Sequence, residues 1–182
     1  MIRLLTLIAL VGMVLTLPSR GAQPRGPDLD ELRRIAEALV AQLDIAHQEA
    51  VFGALAPNLE ALKRHTQRVI NVLEGKGGPN YRPGVGDLGD GLGVLHHVQH
   101  LREKIRDTPL APIFMLGLDT VLFDVNSALV QIRQALTLQD LQRARVVLRI
   151  GRALIYSARG SAGDPVGEGG ARAILARLSA GR

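Results

Sequence analysis

The sequence predicts an all-α protein: an up-down bundle of four to five helices that follows an N-terminal signal segment. Three observations carry this. The chain is nearly half hydrophobic yet only 3% aromatic, with no Cys and no Trp, and an aliphatic mix of that kind favours helices over sheets. Apolar residues recur at intervals of three and four in five successive runs, the rhythm of one helix face. No pair of alternating runs flanks a hairpin turn anywhere.

The first residues read as an export signal. Met1-Ile2-Arg3 is a short basic start, and Leu4 to Leu17 is a charge-free run of 14 residues. Spanning a bilayer takes about 20 apolar residues, so the run is short for an anchor. Pro18-Ser19-Arg20-Gly21-Ala22 supplies a helix breaker and the small residues that precede cleavage. The expected division is therefore a signal peptide over 1–22 and a Pro/Gly linker over 23–27. The bundle follows over 28–159, and a flexible glycine-rich tail over 160–182 carries a short helix near Ala171 to Leu178. Export to the cell envelope or beyond follows, with an uncleaved signal segment as the only expected membrane attachment. Without cysteine the chain has no disulfides, thiolate metal sites or covalent haem. Setting aside Arg3 and Arg20, the basic excess falls from five to three, too weak to imply nucleic acid.

The helices follow in order. Asp28 and Glu31 stand at capping-box spacing before Leu29, Leu32, Ile35, Ala36, Leu39, Leu43 and Ala46. This first helix should reach Ala54, with a break near Asp44. Pro57 suits the first turn of a second helix whose stripe is Leu59, Leu62, Thr66, Val69, Ile70 and Leu73, with Gly75 as its stop. A third should open near Gly91 and run to Arg106 along Val94, Val98, Leu101 and Ile105. The fourth, Pro112 to Leu136, is apolar on nearly every side in its first half and belongs at the centre. Thr137 would cap a fifth helix with Leu141, Ala144, Leu148, Gly151 and Ile155 as its seam.

Candidate chemistry gathers between Leu59 and Ile105, where four of the five histidines lie. His65 points at or near the core, and His97 stands on the margin of the third stripe. With His100 they could hold a divalent metal ion, and His96 with His100 forms an i,i+4 pair on the polar face. The plainer expectation is two satisfied, half-buried histidines and two solvated ones. Di-iron chemistry needs paired Glu-x-x-His motifs, which are lacking. So few aromatics also argue against a haem pocket. Gly84-Val85-Gly86-Asp87-Leu88-Gly89 spells G-x-G-x-x-G, but a helix precedes it where the dinucleotide motif needs a strand. A calcium loop would need a closing Glu. The loop therefore reads as a turn whose glycines allow positive φ, with Asp90 capping the third helix. Arg145, Arg149, Arg152 and Arg159 line one side of the fifth helix, a solvated face or a contact for an anionic partner.

The stretch from His65 through Val69-Ile70-Asn71 to Gly75, followed by Gly86-Asp87-Leu88-Gly89-Asp90-Gly91, resembles a segment of exported bacterial helical proteins without an assigned activity. The resemblance implies that His65, Asn71, Asp87 and Asp90 form one local constellation. The loop here is poorer in carboxylates than in similar sequences, which argues against a metal held by the loop. The function expected is a non-catalytic module that binds a protein partner or a small ligand, with a histidine-based metal site as the alternative. No local motif resembles a catalytic triad.

Overall fold

The computed structural model describes residues 28–86 and 88–180, so the expected signal peptide, the linker and Asp87 lie outside the described residues. Among those described there are six α-helices, a single 3-10 turn and no strand. The helices are α1 (Leu29–Leu55), α2 (Leu59–Glu74), α3 (Val94–Arg106), α4 (Ala111–Thr137), α5 (Leu141–Arg159) and α6 (Gly170–Ala180). The all-α bundle is the architecture found.

The core forms where the stripes predict it. Leu32, Leu39, Leu43, Leu62, Ile70, Val98, Leu101, Ile105, Leu118, Val125, Ile132, Leu148 and Ile155 are all buried. α1 and α4 occupy opposite corners: each packs against α2, α3, α5 and α6, and their backbones do not approach one another. α4 is thus not enclosed, as its apolar first half suggested. It keeps a side in solvent, with Leu116, Phe123 and Val130 exposed.

Several boundaries differ from expectation for identifiable reasons. Asp28 caps α1, its Oδ1 accepting from the Asp30 and Glu31 amides. The Glu31 carboxylate reaches across to Lys104 on α3 instead of closing a capping box. α1 runs unbroken through Asp44, whose carboxylate points outward to Arg159 and Arg172. Pro57 lies before α2, and Asn58 is its cap, with Oδ1 2.9 Å from the Ala61 amide. Thr137 ends α4 rather than capping α5; Asp140 does that, accepting from the Arg143 amide at 2.8 Å. Residues 160–180 are not a loose tail. Ala171, Ile174 and Leu178 of α6 are buried, and α6 packs on α1, α4 and α5.

Candidate functional site

The last two turns of α2 carry a second, polar stripe: Gln67, Asn71 and Glu74, all buried. Their spacing puts them on one helix face, turned toward the connection from Gly75 to Gly93. Asn71 treats Arg82 as a strand partner would. Its Nδ2 donates to the Arg82 carbonyl at 2.7 Å and its Oδ1 accepts from the Arg82 amide at 2.9 Å. Gln67 Nε2 donates to the Asn80 carbonyl and to Asn71 Oδ1. The two oxygens of Glu74 take the Asn80 amide and side chain, each at 2.8 Å. Arg68 Nε holds the Val85 carbonyl at 2.7 Å. Buried polar groups need partners, and here the loop backbone supplies them.

The far end of the connection is fixed by Asp90. Its Oδ1 accepts from the Leu92 and Gly93 amides, and its Oδ2 lies 2.5 Å from His97 Nε2. Burial pushes the Asp90 carboxyl upward, but the bonds from His97, Leu92 and Gly93 outweigh it and hold the group below its ordinary value. α3 consequently opens at Val94, not at Gly91. Asp90 caps a turn of Gly91 and Gly93, both at positive φ, ahead of the helix. The Lys76 amide donates to the Gly91 carbonyl at 2.8 Å, so the two ends of the loop are sewn together.

The histidines are distributed, not gathered. His65 Nδ1 lies 2.8 Å from Glu49 Oε2, where the same oxygen stands 3.7 Å from Arg68. His97 belongs to Asp90. His100 stands beside His96 with ring centroids 5.8 Å apart. Among the described residues no three His, Asp or Glu side chains are placed to hold a metal ion. Of the expected constellation, Asn71 and Asp90 fix opposite ends of one loop and His65 ties α2 to α1.

Beside the loop, α1 and α3 border a groove of about 460 Å³ lined by Glu31, Arg34, Leu92, His96 and His100 among others. Leu92 of the loop lines it and is exposed, and Leu88 of the same loop is also exposed. A second groove of about 500 Å³ lies between α2 and the loop, with Lys63, Arg64, Arg82 and Glu60 on its walls.

Two members of the arginine row on α5 are occupied within the fold. Arg145 donates to the Ala56 carbonyl at the end of α1, at 2.5 Å. Arg159 pairs with Asp44 and lies over Tyr156. Arg149 is exposed and Arg152 half-buried. Next to this row His47 is held below its ordinary value, first by burial and then by Arg159 and Arg152, with Asp44 opposing. Sequence reasoning missed Gln42 of α1, whose Oε1 accepts from the Asp90 amide at 3.4 Å, and also Glu49, Gln67 and Glu74. For the last two a signal existed, since polar residues at positions 67, 71 and 74 repeat with helical spacing just before a glycine loop. The chain matches no protein-family model, no curated protein and no solved structure.

Proposed function

We propose that the chain is an exported, non-catalytic binding module of the cell envelope whose recognition surface is the loop end of the bundle. One observation carries this reading: a glycine-rich connection pinned by buried side chains of α2 and by His97 of α3 still turns Leu88 and Leu92 outward, Leu92 on the wall of a groove with Arg34, His96 and His100. Loops positioned by a rigid scaffold commonly carry binding. A fixed loop also loses little conformational entropy when a partner docks. The two carboxylate–imidazole pairs, Asp90–His97 and Glu49–His65, support a structural use of those histidines, because each joins separate parts of the fold.

Photo-crosslinking from position 92 in envelope preparations tests the reading. The expected result is a discrete adduct that is lost in a His96→Ala, Arg34→Ala double variant. An unchanged adduct pattern in that variant, or none at all, would overturn it. The alternative is a divalent ion held by the His96–His100 pair, the first exposed and the second half-buried. A zinc-induced thermal shift abolished by His100→Ala favours it.

A further inference from the structure

We propose that α4 is the seat of a two-fold homodimer, formed by two copies of this chain packed antiparallel through the uncovered side of that helix. The starting point is exposure. Leu116, Phe123 and Val130 are 65%, 70% and 56% exposed, and Val146 and Ile150 extend the apolar field on α5. Single exposed apolar residues are ordinary, but a contiguous field of them marks an interaction surface. α5 packs directly beside α4, and a groove lined by Gln134, Leu138, Val146 and Val147 joins the two helices.

The pattern on α4 says what covers it. The outer stripe reads Leu116, Thr120, Phe123, Ser127, Val130, Gln134, alternating steps of four and three with no charged residue. Such spacing is that of a coiled-coil seam. Turned end for end about a point near residue 125, the stripe fits itself. Phe123 meets the partner's Ser127, and Val130 meets the partner's Thr120, so these two bulky side chains face small ones, while Leu116 meets the partner's Gln134 at the ends. The flanking rim gives the same register independently. Asp119, Asn126 and Arg133 recur every seven residues along it. The same two-fold operation sets Asp119 against the partner's Arg133 and Asn126 against the partner's Asn126. Within the chain Asp119 pairs with Arg102 at 2.7 Å and Arg133 stands 4.0 Å from Glu74, yet Asp119 and Arg133 stay 52% and 44% exposed. An isologous contact requires this kind of self-complementarity.

The dimensions suffice. With 27 residues in α4 and 19 in α5, a rise of 1.5 Å and helices about 10 Å wide give a face of about 700 Å². Stable interfaces of standard size use roughly 600–1,000 Å² per partner, so the face falls in the lower half of that range. α4 is also long and apolar enough to cross a bilayer by length and composition, but its inner side is packed against four other helices. A lipid surface is therefore the competing occupant to be tested. The rim approaches the loop end at Arg133, whose Nη1 stands 4.0 Å from Glu74 Oε1, but Leu116, Phe123 and Val130 line neither groove there, so the two assignments are tested by different substitutions.

The chain has no cysteine, so one introduced thiol reports cleanly. Asn126→Cys should give a covalent dimer with a short bis-maleimide, whereas Glu37→Cys, exposed on α1, should not. Light scattering across a dilution series should show dimer for the wild type and about 100-fold weaker association for Phe123→Lys. Circular dichroism should be unchanged, because the side chain is in solvent. Asp119→Arg and Arg133→Asp should each weaken association, and the double variant should recover it. A monomer at every concentration, equal cross-linking from positions 37 and 126, or flotation of the wild type with anionic vesicles that Phe123→Lys abolishes would overturn the proposal.

Discussion

Asp90 shows how much one side chain settles at this end of the molecule. It receives two backbone amides and an imidazole at once, and its position decides where α3 can begin. Its carboxyl lies below the ordinary value in the folded chain, despite burial, because those three donors favour the charged form. The ionised group thus contributes stability that is complete above its unfolded value of about 3.8 and is lost as pH falls through the lower folded value. Asp90→Asn keeps an acceptor but removes the charge, and should cost about 1–2 kcal/mol at pH 7. Urea midpoints should show the gap between variant and wild type closing once the pH drops under about 4. A gap that stays constant down to pH 2.5 would mean that the carboxylate is not the stabilising form. His47 acts in the same direction at higher pH. Its folded value is depressed below 6.5 by burial and two arginines, so its neutral form also loses ground on acidification.

At the scale of elements, the helices were legible and their ends were not. Period is a property of ten or more residues, and α1 through α5 each declare it. A boundary rests on one or two groups that can be replaced by neighbours. Thr137 and Asp140 are both good caps; the chain extends through Thr137 and uses Asp140. Gly91 looked like the start of α3, but what matters there is a crossing of two backbones. Gly75 and Gly93 both hold positive φ, and a Cβ on Gly75 would run into the Leu92 carbonyl. A Cβ on Gly93 would strike the Glu74–Gly75 peptide. Gly93→Ala therefore combines a φ of 90° with a clash against main chain, which cannot rotate away. The expected cost is about 3 kcal/mol or more. Hydrogen exchange at the Lys76 amide should quicken before that of α5, and a variant as stable as the wild type would mean that the crossing is not tight. The site was half legible. His97 and Asp90 could be marked as candidates from the sequence, but their pairing depends on a turn that only the folded loop defines.

At the scale of the whole molecule, the segment after Gly160 was the least readable part, and the reason is physical. Its glycine-rich lead-in carries no period, and α6 is built mostly of small residues, so its amphipathicity is weak over eleven positions. What makes it a structural element is the surface it covers. Ala171, Ile174 and Leu178 are buried where α6 packs on α1, α4 and α5, and Arg33 on α1 donates to the Leu178 carbonyl at 3.3 Å. Arg172 joins Arg159 on Asp44, linking α6, α5 and α1 through one carboxylate. Small side chains suit this place because they let α6 approach closely, much as Gly117 of α4 does where it abuts the Val166 carbonyl. The consequence is measurable. A loose tail would tolerate Ile174→Ala without effect, whereas a fully buried isoleucine in a packed helix should cost about 2–5 kcal/mol. Removing 170–182 should cost more still, because it also uncovers the α1 face and leaves Asp44 with one arginine fewer. Both changes should lower the chemical denaturation midpoint of the entire bundle in one cooperative step, since α1 is shared by four helices. A midpoint within error of the wild type for Ile174→Ala would return α6 to the status of an appendage.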